Sequence, residues 1–499
     1  MSRRWSELGF LLLVAWTCTP LWIPRYLPIQ DLPQHLAAIR VLHSYADPLF
    51  DFQRYFELQL FRTQYLAYYL VAHLLAYLLD LELANRLLIT ACVAGTPYAV
   101  RSLLRALERD ERLALLALPL AYNAHLILGF VNFLMAIPLA LWGLALAVHE
   151  RAESKPARAL GLCAIALACF YSHVVPFALF ALGVLLLAPG GGWRATLRRV
   201  LPLVPAGVAG LIWMLRSPAG QATVTAARGA QAGPQPQFLP AALALGDLPN
   251  WLTDILRPEG DGRLLRWFLL CFALAFCAGA LPGSAARPNP LARRLAFLPL
   301  LAAVLYFEAP TGYDWIWPIA QRFPLLALLF AIPIIPQLRP WLGRLLVTAL
   351  IAISLLQTHQ VGRAFAAFDR EEVGDFDAAL SSIPPARRVV GLIYARGSAQ
   401  VKFSPFIQYV AYYQARRGGA VMFSFADFPQ SPFRFREDDR PPHVPPRWEW
   451  LPQAVRLEDL GWYDYLLIRG GQSPCSRQRQ GHCVRVFQGR FWEVWQLHP

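Results

Sequence analysis

The stretch "FVNFLMAIPLALWGLALAV", residues 130–148, indicates the fold class because it runs without a charged residue. A helix needs about 20 mostly apolar residues to cross the hydrocarbon core of a bilayer, and this stretch has that length and character. Comparable apolar stretches recur from Leu8 to about His359. The pattern predicts a polytopic α-helical membrane protein.

The overall composition also indicates a membrane environment. Of the 499 residues, 56% are hydrophobic and only 16% are charged, whereas soluble proteins carry roughly a quarter of charged residues. The formal net charge of +14 would suit a nucleic-acid partner, but the arginines lie in short clusters between apolar segments. Such clusters are typical of loops that set membrane topology, so we expect no nucleic-acid partner.

Apolar segments that could each form a helix follow one another up to residue 358. They lie at about 8–24, 63–80, 83–100, 113–128, 130–148, 159–173, 174–189, 200–215, 264–282, 295–310, 323–337 and 341–358. If all twelve crossed, the basic N-terminus and the arginine clusters from Arg101 onward would lie on opposite sides, against the positive-inside rule. We therefore predict that 63–80, with its four tyrosines, dips into or lies along the outer interface.

That assignment leaves about eleven spans in the cell membrane (inner or plasma), with a cytoplasmic N-terminus. The membrane domain is predicted over residues 1–358, with outer loops at 25–82, which includes juxtamembrane helices, and at 216–263. Residues 359–499 change character: "REEVGDFDAALSSIP" is typical of a helix, whereas "RRVVGLIYARG", "YDYLLIRGG" and "CVRVFQGRFWEVWQL" are typical of strands. We expect this tail to form a soluble extracytoplasmic α/β domain.

Cysteine placement adds one expectation about the tail. Cys475 and Cys483 flank the polar stretch "SRQRQGH", and a disulfide between them would be stable in an oxidising compartment. Two free thiols are the alternative.

The predicted outer loops contain most of the polar, ionisable and aromatic candidates outside the tail. They are Asp31, His35, His125, Asn132, His173, Trp251, Asp254, Tyr313, Asp314, Trp315 and Arg322. The inner loops contain little besides arginine, so any chemistry is expected on the outer face.

The stretch "IQDLPQHLAAI" contains the clearest candidate for acid–base chemistry. A catalytic role would explain a carboxylate at the membrane surface: Asp31 would take a proton from a substrate hydroxyl. The alternative is an N-cap, because Asp favours that position and Pro33 suits a first helical turn. His35 would lie one turn further along the same helix face.

These residues resemble the GT-C superfamily of glycosyltransferases that use polyprenyl-phosphate sugars, including the mannosyl and aminoarabinose transferases. Members carry an acidic residue in the first outer loop, often as Asp-Glu followed by an aromatic; here Asp31 matches, Leu32 replaces the Glu and His35 replaces the aromatic. The segment "LLDLELANRLLI" is similar to an Ala-x-Arg-Leu pattern, "AYNAHLILGFVNFLMAIPLAL" to the second outer loop, and "WIWPIAQRF" to late outer loops where an Arg meets the lipid phosphate.

The resemblance implies a role for each candidate. Asp31 would be the catalytic base; His35, Arg86, His125 and Arg322 would bind substrate or phosphate; Tyr313 and Trp315 would stack on sugar or lipid. Alternatives remain: Arg86 could pair with Glu82, Arg322 could snorkel to lipid headgroups, His125 could simply end a helix, and the aromatics could be interfacial anchors.

No cofactor or metal is expected. Asn132 lies near the position where the oligosaccharyltransferase branch has an acidic metal ligand, and no "HExxH" or "CxxC" pattern occurs. The predicted function is an inverting glycosyltransferase of the outer face. Its partners would be a polyprenyl-phosphate donor, the membrane, and a glycan, lipid or protein acceptor. A non-catalytic assembly protein on the same scaffold and a membrane transporter are the alternatives.

Overall fold

A computed structural model describes residues 3–153, 155–227, 235–257, 261–280, 289–442, 447–477 and 483–497. The helices are α1 Arg3–Cys18, α2 Leu32–His43, α3 Phe52–Tyr55, α4 Ala67–Leu75, α5 Leu81–Ala106, α6 Ala124–Leu128, α7 Val131–Ala152, α8 Pro156–Ser172, α9 Val174–Leu187, α10 Trp193–Val200, α11 Val204–Arg216, α12 Pro218–Ala227, α13 Ala241–Trp251, α14 Asp261–Ala280, α15 Pro290–Leu295, α16 Phe297–Glu308, α17 Phe323–Ala331, α18 Pro340–Phe368, α19 Phe376–Ser381, α20 Ala411–Arg417 and α21 Arg447–Trp450. The strands are β1 Phe56–Leu58, β2 Arg388–Ile393, β3 Ala420–Val421, β4 Phe433–Phe435, β5 Tyr465–Arg469, β6 Cys483–Gln488 and β7 Trp492–Leu497.

Within the described ranges, five helical segments are long and apolar enough to cross a membrane, by length and composition. They are Leu81–Ala106, Val131–Ala152, Trp193–Arg216, Pro290–Glu308 and Pro340–Val373. Shorter apolar helices occur at Glu7–Leu21, Pro156–Ser172, Val174–Leu187 and Ala320–Ile334. Together with a C-terminal sheet, they confirm the predicted fold class: a polytopic helical membrane protein with an α/β region near its C-terminus.

Segments 113–128 and 63–80 differ most from the single long helices that the sequence predicted. Segment 113–128 is divided between a 3-10 helix at Glu111–Ala117 and the short α6, so the prediction of one continuous helix there was wrong. Pro119 lies between the two pieces and cannot donate the backbone bond that would continue a helix. Segment 63–80 contains only α4, which at 1.5 Å per residue is about 14 Å long, too short to span a bilayer. Its position at an interface stays a prediction.

Parts of two other predictions lie outside the described residues, namely the end of segment 264–282 and sections of the loop 216–263.

The chain divides into two compact units. The first contains residues 1–20, 89–126 and 130–362, and the second contains residues 21–88, 127–129 and 363–499. The predicted domain boundary at 358/359 lies close to one of these divisions, but the structure also groups the loop 21–88 with the C-terminal residues.

In the first unit, α7 packs against α8 and α9. Glycines allow the close approach of the helices: a Cβ at Gly143 would lie 2.5 Å from the Phe180 ring, and one at Gly183 would lie 2.5 Å from Leu144. Many side chains of α10 and α11 are exposed and apolar, including Leu197, Val208 and Leu211. That surface suits lipid contact.

In the second unit, five strands form a mixed sheet in the order β3-β2-β5-β7-β6. Strands β2 and β5 are parallel neighbours, and β7 runs antiparallel to β5 and to β6. The two parallel neighbours are nearly continuous buried apolar runs, as expected for strands covered on both faces. Cys475 and Cys483 form a disulfide.

The loop 21–88 is part of this second unit through strand pairing and helix packing. Strand β1 pairs antiparallel with β4, with Phe56 opposite Phe435, and α2 packs against α20. The amide of Gln34 on α2 also donates to the carbonyl of Phe423 at 2.8 Å. The candidate base Asp31 is therefore attached to a folded α/β unit.

Candidate active site

Asp31 immediately precedes α2, at the N-cap position, but its side chain makes no capping hydrogen bond. Its backbone is held from another part of the same unit, because the amides of Gln30 and Asp31 donate to the carbonyls of Ile127 (2.8 Å) and Leu128 (3.1 Å). The carboxyl group interacts with the side chain of Gln30. The alternative in which the carboxylate serves as a helix cap is therefore not what the structure shows.

Gly129 lies directly against Asp31. It has φ +91°, and a Cβ built on it would lie 2.9 Å from the Asp31 Cβ and 3.0 Å from the Asp31 nitrogen. A left-handed φ and this close approach both favour glycine, since any other residue would be strained and would push the aspartate away. Gly129 is a site residue that sequence analysis did not select. The sequence feature that could have identified it is its position in the stretch "LILGFVNF".

His35 lies one turn along α2, as its spacing predicted, and both of its ring nitrogens have partners. Nε2 lies 2.7 Å from the carbonyl oxygen of Gly129, and Nδ1 lies 2.8 Å from the hydroxyl oxygen of Tyr69. A carbonyl only accepts, so Nε2 carries the proton and Nδ1 accepts from the tyrosine. Both ring nitrogens therefore have partners, and His35 holds the glycine that lies against Asp31. Its predicted role in binding substrate or phosphate stays a prediction.

Burial changes the proton affinity of this pair in opposite directions. It raises the pKa of Asp31 to about 7, with the hydrogen bond from Gln30 partly opposing the change. Burial also lowers the pKa of His35 to about 4, although the Gly129 carbonyl favours the protonated ring. Near neutral pH the aspartate can therefore take up and release a proton, while the histidine stays neutral.

In the first unit, Arg322 and two histidines form a second group of candidates. Arg322 is only 8% exposed, and its guanidinium lies 5.4 Å from the centre of the Phe130 ring. His125 and His173 are also buried, at 0% and 2% exposed. Sequence analysis placed His173 among the outer polar residues without assigning it a role.

Aromatic rings surround these histidines. The His125 ring lies 4.9 Å from Phe133 and 6.1 Å from Trp251, and the His173 ring lies 5.3 Å from Phe133. A guanidinium and imidazole rings in an apolar setting bind an anion more strongly than they would in water. We refer to Arg322, His125 and His173 as the cationic cluster.

Arg86 has a structural role that the sequence did not predict. Its two terminal nitrogens donate to the carbonyls of Pro24 (2.9 Å) and Arg25 (2.6 Å). The expected alternative partner, Glu82, pairs instead with Arg416 at 2.6 Å. These two nitrogens hold the chain that leads to Asp31, and the predicted phosphate contact of Arg86 stays a prediction.

The predicted aromatic platform is only partly open. Tyr313 is 8% exposed, and it exchanges backbone hydrogen bonds with Ile316 in a tight turn around Asp314, whose φ is +50°. Trp315 is half-buried. Trp317, two residues further, is 48% exposed and lies edge-on to Trp251 at 5.6 Å. It presents more open surface than Tyr313, and sequence analysis did not select it as a site residue.

Across the part of the chain that the structure describes, no three His, Cys, Asp or Glu side chains converge in a way that could hold a metal ion. The expectation that no metal takes part stays a prediction.

No protein-family model matches the chain, and no curated protein matches it. Solved structures that are similar include ArnT from Cupriavidus metallidurans bound to undecaprenyl phosphate, at 12% identity and a TM-score of 0.44, covering 99% of this chain and 98% of that one. The apo form of the same protein is similar at 12% identity and a TM-score of 0.40, covering 98% and 97%.

Proposed function

We propose that this chain is a membrane glycosyltransferase that moves a sugar from a polyprenyl-phosphate donor to an acceptor hydroxyl, with Asp31 as the general base. The observation that carries the proposal is the environment of the Asp31 carboxyl group. Its carboxyl group is not used to cap α2, a glycine with positive φ lies directly against it, and burial raises its pKa to about 7. A base is most effective when its pKa lies near the working pH.

In the proposed reaction, Asp31 accepts one proton from the acceptor hydroxyl. The acceptor oxygen attacks the anomeric carbon of the donor from the side opposite the phosphate, and the configuration at that carbon is inverted. As the new C–O bond forms, the acceptor proton passes to Asp31 and the bond from the sugar to the phosphate oxygen breaks. The lipid phosphate leaves with the electron pair of that bond, and Asp31 later releases its proton to solvent.

The cationic cluster would receive the negative charge of the leaving phosphate. Arg322 offers a planar fork of donors that fits phosphate oxygens, and its low exposure keeps water from weakening the interaction. His125 and His173 are buried side chains of the same unit. A ring N–H of each would donate one hydrogen bond to a phosphate oxygen.

The membrane topology belongs to the same proposal. Arginine-rich loops on the cytoplasmic side would place Asp31, Arg322 and the C-terminal sheet on the outer face of the cell membrane. The donor would be a lipid of the same bilayer, and the acceptor a glycan, lipid or protein outside.

The test compares purified wild type, Asp31→Asn and the control Asp438→Asn in nanodiscs with a panel of polyprenyl-phosphate sugars. Asp438 is exposed, lies in a short 3-10 turn and touches none of the candidate residues. We expect wild type and Asp438→Asn to hydrolyse or transfer at least one donor, and Asp31→Asn to bind that donor with turnover reduced at least a hundredfold.

Two results would overturn the proposal. If wild type neither binds nor turns over any donor of the panel, the proposal of a transferase function is refuted. If Asp31→Asn turns over as fast as Asp438→Asn, Asp31 is not the base. Binding by wild type without turnover would instead favour the non-catalytic alternative.

A further inference from the structure

The second unit contains an open cavity of about 670 Å³ whose residues take no part in the proposed transfer. Its charged lining consists of Arg25, Asp80, Glu82, Asp377, Arg416 and Arg417. The formal charges cancel. The charge and the hydrogen-bonding groups available to a ligand therefore depend on which of these side chains are already paired with one another.

All three acids have partners within the cavity wall. Glu82 accepts from Nε and Nη2 of Arg416, at 2.6 and 3.2 Å. Asp377 accepts from the Tyr26 hydroxyl at 2.6 Å and from Arg416 Nη1 at 3.0 Å. Asp80 accepts from the backbone amide of Glu82 at 2.9 Å, at the start of α5. Glu82 and Asp377 are therefore paired with Arg416, whereas Asp80 accepts only backbone amides, through one of its two oxygens, within the described ranges.

Arg416 is the centre of that wall. Its guanidinium donates to Glu82, Asp377 and Tyr26 at once. Burial lowers the pKa of Arg416, but its contacts with Glu82 and Tyr26 raise that pKa by more. It links residues from the early loop to the C-terminal part of the same unit. The cavity is thus built by a connected set of charge-assisted hydrogen bonds, which keep its shape before a ligand arrives.

Arg417 contrasts with its neighbour. Its guanidinium makes no hydrogen bond or ion pair with any residue of the described ranges, whereas its backbone is fixed because its carbonyl accepts from Ala386 at 2.9 Å. The next residue, Gly418, has φ +80° and lies against the Phe50 backbone, where a Cβ would approach to 2.5 Å. An unsatisfied guanidinium on a fixed backbone has five donors available for an anion.

Two further lining groups could contribute. Arg25 pairs with Asp377 at 2.8 Å, but its side chain is 65% exposed and keeps a face toward solvent. Ser381 lines the same cavity and offers a hydroxyl. Leu49 and Phe50 add apolar surface. Unused cationic donors, a hydroxyl and an apolar wall together suit an ester of phosphate better than a metal cation or a neutral sugar.

We propose that this cavity binds a phosphate ester, with the phosphate on Arg417 and Arg25. The site is separate from the residues assigned to the transfer reaction, so it adds a second phosphate-recognition site to the chain. The phosphate can belong to a lipid headgroup of the bilayer or to a soluble sugar phosphate, and both present the same charged oxygens to the two arginines.

The test measures binding rather than turnover, so its outcome does not depend on the transferase function. Glucose 1-phosphate is titrated into the full chain in neutral detergent, and the ³¹P line width gives the dissociation constant. In a second arm, native mass spectrometry counts phosphatidylglycerol retained from nanodiscs that contain equal phosphatidylglycerol and phosphatidylcholine. The variants are Arg417→Gln, Arg417→Lys and the control Arg370→Gln, an exposed arginine of the same unit that does not line the cavity.

We expect Arg417→Gln to weaken binding roughly tenfold or more in one arm, because it removes a charge-assisted fork. Arg417→Lys should keep part of the affinity, and Arg370→Gln should keep all of it. The arm that responds identifies the source of the phosphate. Equal affinity for wild type and Arg417→Gln in both arms, with unchanged melting temperatures, would overturn the proposal. An equal loss in Arg370→Gln would also overturn it, since that outcome indicates nonspecific charge attraction.

Discussion

The imidazole Nε2 of His35 donates a hydrogen bond to the carbonyl oxygen of Gly129 at 2.7 Å. This bond holds a glycine with φ +91° in contact with Asp31. The histidine therefore acts on the proposed base through the backbone of a neighbour. It is a positioning residue, and that role is separable from phosphate binding by experiment.

Replacing His35 by Ala should lower kcat more than it raises KM, because Gly129 is left unsupported while the phosphate contacts stay. The buried hydroxyl of Tyr69 also loses its acceptor, at a cost of about 1–3 kcal/mol in the free energy of unfolding. Steady-state kinetics and urea unfolding check both effects. If KM rises while kcat stays unchanged, His35 binds substrate and the positioning role is contradicted.

The same histidine predicts a pH effect on stability. Its pKa is lowered to about 4 in the folded chain, so between about pH 6.5 and 4 the unfolded chain binds a proton that the folded chain does not. His35 should therefore destabilise the fold as the pH falls through that window. Comparing melting temperatures of wild type and His35→Gln from pH 7 to 4 tests this, and parallel curves would contradict it.

Gly129→Ala is expected to reduce turnover strongly and to destabilise the fold by about 2 kcal/mol or more, because the new Cβ meets Asp31 at 2.9 Å and the backbone has positive φ. Gly246→Ala is the matched control: it lies within α13, and a Cβ added there would meet open space. Turnover and melting temperature are measured for both. Similar values for the two variants would contradict the constraint at Gly129.

The raised pKa of Asp31 predicts the acid limb of the pH–rate profile. A base must be ionised, so kcat/KM should fall about tenfold per pH unit below an apparent pKa of about 7. His35 does not produce this limb because its own pKa is lowered to about 4. The residual activity of Asp31→Asn should lack the limb. An acid limb retained in that variant would assign it to another group.

Replacing Arg322 by Gln should weaken the interaction with the lipid phosphate in both the bound donor and the leaving group. We expect kcat/KM to drop at least a hundredfold, in line with about 3 kcal/mol for a charge-assisted contact with low exposure. Arg344→Gln, on the exposed surface of α18, is the control. If the two variants retain equal donor affinity and turnover, the cationic cluster does not hold the phosphate.

Arg416→Ala should destabilise the second unit by about 2–3 kcal/mol, since it leaves Glu82, Asp377 and Tyr26 without their shared partner. A double-mutant cycle with Glu82→Ala measures the coupling between the two side chains. Additive losses of unfolding free energy would mean that the pair does not interact.

The membrane class and much of the helical layout were predictable from the sequence alone. Charge-free stretches such as 130–148 have one stable solution in a bilayer, because every backbone group must be paired within the segment. The candidate polar residues were also identifiable, since ionisable groups are scarce in such a chain. The alternating and buried apolar runs of the tail were enough to indicate strands, because strand burial follows short-range patterns.

The contacts that the candidate residues make became clear only from the tertiary structure. The spacing of Asp31 and His35 placed them close together along one helix, but the partner of the histidine is the carbonyl of Gly129, which lies about ninety residues away in the chain. Arg86 and Glu82 are four residues apart and pair with other groups, Pro24 and Arg416 among them. Hydrogen bonds between distant segments have no signature in local sequence, because they depend on which surfaces the folded chain brings together. For the same reason, the sequence could not show whether the carboxylate of Asp31 caps α2.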